Sequence, residues 1–271
     1  MNSKFKIFIY VIVAIFLILV SIKIANNKSN KLTVQTSSSA ALSNTKIGWG
    51  IKRNNNHNQP DLGKKNKELI EKYKGYAMGN SNEKRVYLTF DLGYEAGYTN
   101  KILDVLKENN VNATFFITAH YVNTASDIVQ RMIDEGHIIG NHTVNHKSMP
   151  DLSSEELKKE IMDLHTAVYN KFNYEMTYMR PPKGEYSERT LCEVTNLGYT
   201  PVMWSFAYAD WDEKKQPSNE EGKKKIIENT HNGEIMLLHA TSKTNMEILD
   251  EVIKEIKDMG YEFKSINEFI M

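Results

Sequence analysis

Apolar and polar positions are arranged along this chain in two alternating rhythms. From Arg85 onward, short apolar runs rich in β-branched and aromatic residues take turns with segments of helical period. Val86–Phe90, Ala113–Ile117, His137–Gly140, Met176–Met179, Thr200–Phe206, Ile235–Leu238 and Tyr261–Ile266 read as strands. Between them the pattern predicts helices over Thr99–Glu108, Ser126–Glu135, Ser154–Tyr169, Ser187 to about Gly198, Glu220–Thr230 and Asn245–Met259. Ile102, Leu103 and Leu106 share one face of the first, and Leu157, Ile161, Leu164 and Val168 repeat at helical spacing in the third. Ser153 with Glu156 three residues later forms a capping box, and Gly136 and Gly260 stand where helices stop. A short helix over Lys67–Tyr73, capped by Asn66, precedes the alternation. Strands alternating with helices imply an α/β fold around a parallel sheet or barrel.

Five of these strands end in, or just ahead of, a side chain able to do polar chemistry. Asp91 follows the first, Asn141 and His142 the third, Arg180 the fourth, Asp210 the fifth and His239 the sixth. Residues just past the carboxyl ends of parallel strands gather on one face, where such folds keep their active sites. Spread over five strand ends, they favour a closed or nearly closed barrel over an open sheet with one ligand crevice. No glycine-rich phosphate loop follows any strand, so a nucleotide cofactor has no support.

The N-terminal end follows neither rhythm. Ile7 to Ile22 carries no charge and is flanked by Lys4, Lys6 and Lys23. Sixteen helical residues span about 24 Å, short of the roughly 30 Å hydrocarbon core. Phe5 and Ile24 lengthen the run, and the lysines can snorkel. No small-x-small cleavage pattern follows directly, which favours an uncleaved transmembrane signal anchor over a cleaved signal peptide. The expected organisation is an anchor over 1–25, a flexible Asn/Ser/Thr/Lys tether over 26–47, an irregular lead-in over 48–84 packing on the barrel, and the catalytic domain over 85–271.

Lys plus Arg and Asp plus Glu number 34 each, but residues 1–45 hold five lysines and no acid. The rest has 29 basic against 34 acidic side chains, a net of about −5, with no basic cluster of the kind nucleic acid requires. The single cysteine, Cys192, excludes an internal disulfide and a multi-thiolate metal site; it reads as a buried structural thiol.

His142 and His146 have metal-ligand spacing, a weak signal alone that gains weight at a strand end. Asp91, between an apolar strand and Gly93, needs a cation or hydrogen-bond donors if buried, and Arg180 is a fixed cation that could serve it. His239 becomes a general acid near neutrality if Asp210 accepts its other ring N–H. Trp211 could wall an apolar pocket for an acyl methyl group, or only pack. His57, His120, His137, His165 and His231 read as ordinary surface or core residues. A carboxylate base, a two-His cation and a histidine acid together suit metal-assisted hydrolysis of an unactivated acyl bond.

These residues resemble the polysaccharide deacetylase family, the NodB-homology enzymes of carbohydrate esterase family 4, from about Arg85 to the C-terminus. Thr89-Phe90-Asp91-x-Gly93, His142-Thr-x-x-His146, Arg180-Pro-Pro-Lys-Gly, Asp210-Trp211 and Leu237-Leu238-His239 look like its five motifs in order. The resemblance implies a distorted (β/α)7 barrel with Asp91 as base and His239 as acid. It makes His142 and His146 ligands of a divalent metal, most readily Zn2+, with Arg180 tethering Asp91 and Asp210 orienting His239. Trp211, Tyr94, Pro182 and Lys183 would contact the glycan.

Gly48-Trp49-Gly50-Ile51-Lys52, Tyr94-Glu95-x-Gly97-Tyr98-Thr, Glu135-Gly-His-Ile-Ile-Gly-Asn-His and His239-Ala-x-Ser-Lys-x-Asn245 are similar to the family's sporulation branch. That branch removes the acetyl group from peptide-free N-acetylmuramic acid on the route to muramic δ-lactam in spore cortex. The implied partners are peptidoglycan strands and, through the N-terminal helix, the cytoplasmic membrane, with the catalytic domain on the wall side. One position departs. Where the family has a second aspartate as third metal ligand, and the sporulation branch often asparagine, this chain has Leu92. Weaker zinc binding follows, and two other readings stay open: deacetylation of N-acetylglucosamine or an O-acetyl glycan, and a weakly active or non-catalytic glycan-binding envelope protein.

Overall fold

Strand register decides where the chemistry lands. In the computed structural model, which describes residues 41–270, β2 (Arg85–Leu92) lies between parallel β3 (Thr114–Ile117) and β8 (Glu234–His239). Asp91 is level with Phe116 on one side and with His239 on the other. From β3 the register passes to β4 (Ile138–Asn141), with Ile117 beside Asn141, and then to β5 (Tyr178–Met179), with Asn141 beside Met179. Two adjacent levels of the sheet therefore carry the chemistry: Asp91 with His239 on one, and Asn141 with Met179, the residue before Arg180, on the next.

The parallel sheet runs in the order β7-β5-β4-β3-β2-β8, with β7 at Thr200–Pro201 and β9 (Glu262–Phe263) beside the start of β2. The strand expected over Thr200–Phe206 is a ladder for only two residues. Tyr76 then pairs with Val202, and Phe206 crosses to Met236 on β8 by a single bridge. The sheet is thus a curled half-barrel whose edges touch at that bridge, in place of a seamless seven-strand barrel. One antiparallel pair was not predicted: β1 (Ile47–Gly48) with β6 (Glu185–Tyr186).

Helices α2 (Thr99–Glu108), α4 (Ser126–Asp134), α5 (Ser154–Phe172), α6 (Glu188–Asn196), α7 (Asn219–Asn229) and α8 (Lys243–Asp258) fall where the apolar period puts them. Leu157, Ile161, Leu164 and Val168 are buried, and both bonds of the Ser153–Glu156 capping box form. The first helix, α1 (Lys64–Lys72), starts earlier than expected with Gly63 at its N-cap, because Asn66 accepts a hydrogen bond from the Tyr186 hydroxyl instead of capping. The one-turn helix α3 (Ala119–Thr124), capped by Thr118, is too short to show a period.

The lead-in is fixed to the body through Trp49. Its backbone N–H donates to the Gly184 carbonyl at 2.8 Å and its indole N–H to the Trp204 carbonyl at 2.9 Å. The expected tether ends sooner than 47. The Asn44 amide donates to the Pro150 carbonyl, and Lys46 pairs with Asp151 at 2.6 Å. Among the described residues no helix is long and apolar enough to cross a membrane; the predicted anchor over 1–25 lies outside them.

Candidate active site

Asp91 stands one residue before the end of a strand buried on both faces, and its carboxylate meets a cation built into the core. Arg180 is fully buried, and all three of its nitrogens are used. Nη1 donates to Asp91 Oδ1 at 2.7 Å, Nε to the Val202 carbonyl at 3.1 Å and Nη2 to the Met203 carbonyl at 3.1 Å. The guanidinium lies 4.3 Å from the Phe116 ring centre. Phe116 has room to stand there because Gly140 beside it has no side chain; a Cβ on Gly140 would come within 2.4 Å of the ring. Burial pushes the Asp91 carboxyl up, but Arg180, with His142 and His239, outweighs burial and holds it below the ordinary carboxylate range.

The two predicted ligand histidines sit on a tight loop after β4. Asn141 is fully buried and anchors the start of the loop: its amide donates to the Ile161 carbonyl and the Tyr199 hydroxyl, and its Oδ1 accepts from Thr143 N–H at 2.9 Å. Thr143 and His146 both adopt left-handed backbone, φ 67° and 54°, a costly conformation for side-chain-bearing residues that turns the second imidazole back to the first. The ring centres are 4.7 Å apart. Glu160 on α5 clamps the loop, accepting from the Asn145 N–H and side-chain amide at 2.7 Å each.

The fit of this pair to a metal can be tested on His142. Its Nδ1 lies 2.9 Å from the Arg180 carbonyl, which only accepts, so Nδ1 carries the ring proton. Burial pushes its pKa down to about 4, so near neutrality the ring is uncharged and Nε2 bears a lone pair. That lone pair is 3.6 Å from Asp91 Oδ2. Burial likewise lowers the His146 pKa. Two neutral imidazoles, one oriented by a backbone carbonyl, form a two-ligand donor set whose chemistry fits a divalent cation. Leu92 adds nothing to it, being buried in the apolar core. No group of three or more His, Cys, Asp or Glu that could hold a metal occurs among the described residues.

Across the β2–β8 ladder, His239 Nδ1 donates to Asp210 Oδ1 at 2.7 Å. Asp210 Oδ2 accepts from the His239 backbone N–H at 2.8 Å and from the Asn245 amide at 2.6 Å. Burial disfavours the imidazolium, yet Asp210, foremost among the charges around it, brings the His239 pKa above its ordinary value.

Asp91, His142, His146 and His239 open onto one cavity of about 1000 Å³. Arg180 and Asp210 stand behind it, each holding one of those residues. Tyr94, Lys183 and Trp211 are on its wall, with Tyr94 donating its hydroxyl to Glu213 and Trp211 59% exposed. Pro182 is buried in the turn after Arg180 and is not on the cavity wall. His120, read from sequence as an ordinary residue, does line the cavity. It follows the end of β3, so the strand-end rule could have marked it. Trp204 and Tyr208 also line it, and no sequence signal separated them from core aromatics.

The family model described as polysaccharide deacetylase matches residues 78–202. The peptidoglycan-N-acetylmuramic acid deacetylase PdaA of Bacillus subtilis is 43% identical over 231 residues, 85% of this chain and 88% of that protein. The chain belongs to the polysaccharide deacetylase family. A solved structure of the same Bacillus subtilis protein, described as a family 4 carbohydrate esterase, superposes with a TM-score of 0.82 over 84% of this chain and 98% of that one. A peptidoglycan-N-acetylglucosamine deacetylase of Bacillus cereus is 32% identical over 73% of this chain and 72% of its own length. The curled parallel half-barrel is the NodB-type fold of the family, and the cavity holding Asp91 and His239 lies at the carboxyl ends of its strands.

Proposed function

We propose that this protein removes N-acetyl groups from peptidoglycan, acting on peptide-free N-acetylmuramic acid on the route to muramic δ-lactam. The observation that carries the deacetylase chemistry is the meeting of a cation-held carboxylate, a neutral imidazole pair and a carboxylate-held imidazole in one cavity. The muramic acid substrate rests on the likeness to PdaA across most of both chains. Likeness to a glucosamine deacetylase over less of the chain keeps N-acetylglucosamine as the second reading.

Asp91, held ionised and aimed by Arg180, takes the proton of the attacking water. His239, charged and oriented by Asp210, gives its proton to the departing amine, which cannot leave as an anion. His142 and His146 would hold a divalent ion, Zn2+ being the natural match for two imidazoles; when bound it would polarise the acetyl carbonyl. With Leu92 packed in the core, only two protein ligands are in place, and zinc should bind more weakly than to a relative with three.

The deciding experiment incubates the purified protein with peptidoglycan before and after enzymatic removal of the muramic-linked peptides. Acetate and the masses of the released fragments are then measured. Acetate from peptide-free muramic acid alone is the expected result, and acetate from glucosamine selects the second reading. Chelation should stop release, and added zinc should restore it; release that survives exhaustive chelation would remove the metal from the mechanism. The N-terminal apolar run of residues 7–22 supports a single-pass anchor with the catalytic domain facing the wall. Fractionation of the intact protein with membranes, and protease access to its body from outside, tests that placement.

A further inference from the structure

Lys183 makes no salt bridge among the described residues, although its charge reaches Asp151, which is paired directly with Lys46. Lys183 is exposed, and it is the only Lys or Arg on the cavity wall among the described residues. By contrast, Lys46 pairs with Asp151 at 2.6 Å and Lys147 with Glu160 at 3.7 Å. No Asp or Glu among the described residues lies within 4.0 Å of Lys183 Nζ. Its backbone is left-handed, φ 58° and ψ 8°, between Pro182 and Gly184. That turn is locked from behind, since a Cβ on Gly184 would come within 2.7 Å of the Trp204 ring and 3.0 Å of Trp49. A costly backbone, held by packing, thus presents an unpaired ammonium group to the same cavity as His142 and His146.

An anionic substrate entering this cavity meets the ionised Asp91, whose buried partner Arg180 is fully committed to it and to two carbonyls, while the His239 ring is held by Asp210. Any second carboxylate therefore needs a cation of its own. The proposed substrates differ in that one group. N-acetylglucosamine has no lactyl ether. Muramic acid that bears a peptide has its lactyl carboxyl tied up as a neutral amide. Peptide-free muramic acid alone carries a free lactyl carboxylate. We propose that Lys183 receives that lactyl carboxylate, so that the site selects muramic acid residues stripped of peptide. This rests on the deacetylase reading above and adds the residue that sets its specificity. The lysine's compact charge on a flexible stem suits an anion whose position varies with rotation of the lactyl ether.

The test compares binding of a muramic-containing disaccharide with a free lactyl carboxyl against the same sugar with that carboxyl as its methylamide. Isothermal titration uses the wild type, Lys183→Met and Lys183→Arg, with thermal melts confirming that the variants fold. The wild type should prefer the free acid about tenfold, with the preference shrinking as salt rises. Lys183→Met should bring acid and amide within about twofold, and Lys183→Arg should keep most of the preference. Equal preference in wild type and Lys183→Met, or none in the wild type, overturns the proposal. Acetate release on the same sugars separates the two claims. Acid preference lost in Lys183→Met without any acetate from the wild type supports the lysine's role and removes the deacetylase reading. Acetate release with an unchanged preference does the reverse.

Discussion

Two carboxylates lie on the β2–β8 ladder, one near each end, and their fates are opposite. Asp91 is level with His239 at the carboxyl end, and Glu234 is level with Val86 at the other. Both are buried, and burial alone raises either pKa. Asp91 is nevertheless held below the ordinary range, because the core supplies Arg180 at 2.7 Å. Among the described residues Glu234 has no ion-pair partner. Its Oε2 accepts one backbone N–H from His231 at 3.2 Å, its Oε1 has no partner among the described residues, and its pKa is driven well up. Burial does not make a carboxylate a base; the charge placed beside it decides whether it is ionised and aimed or merely neutral.

The largest effect should come from breaking the cation half of that contrast. Arg180→Met leaves Asp91 buried without its partner and two carbonyls without donors, and should cost about 3–5 kcal/mol of stability in urea denaturation. Acetate release should fall on the order of a thousandfold. Asp91→Asn should cost comparable activity and also destabilise, since the fully buried Arg180 then lacks its anion while keeping its two carbonyl partners. The double variant should recover part of what Arg180→Met loses, since no bare carboxylate is left. A single Arg180→Met variant as stable as wild type would break the account of the ion pair.

The carboxyl end holds a second pair built the other way round, with the working group as the cation. The His239 pKa is raised, so the protonated, proton-donating form persists to higher pH than in an ordinary histidine. Activity should therefore hold to higher pH than an ordinary histidine would allow and fall as pH rises through that raised value. The pair's contribution to stability is complete below the ordinary value of 6.5 and is lost over the same rise. Asp210→Asn should move the alkaline limb of the pH–rate profile to lower pH and reduce the maximum rate by about a hundredfold. A limb that stays in place would assign it to another group.

Why one end was legible from sequence and the other was not follows from the same contrast. Asp91, His142, Arg180, Asp210 and His239 each follow or lie just beyond an apolar run, and in a parallel sheet that position alone converges side chains. Strand and helix periods gave the elements, and register did the rest. Glu234 opens a strand, and the seven-residue window around it shows neither period nor cap, so its burial depends on packing that no local pattern encodes. The same holds for the half-barrel seam. Phe206 meets Met236 through one bridge set by tertiary contact, whereas the sequence from Thr200 to Phe206 reads as an unbroken strand. The clamp of Glu160 on Asn145 is equally silent, because Glu160 follows a helical pattern in which an acid reads as solvent-facing.

The smallest and most diagnostic change is at the inert end. Glu234 folds with its carboxyl raised well above the ordinary 4.5, so at neutral pH the chain must take up a proton, or bury a charge, on folding. The neutral carboxyl's contribution is complete below the ordinary value and lost as pH rises through the folded one. Glu234→Gln keeps the shape and the acceptor for the His231 N–H while removing that proton. It should raise stability by about 1 kcal/mol at pH 7 and by nothing measurable below pH 4, leaving acetate release unchanged. The equivalent swap at Asp91 abolishes function without stabilising, because there the charge is matched. If Glu234→Gln were destabilising at pH 7, the buried carboxyl would have to be ionised and satisfied by an unseen donor, and the two ends of the ladder would be alike.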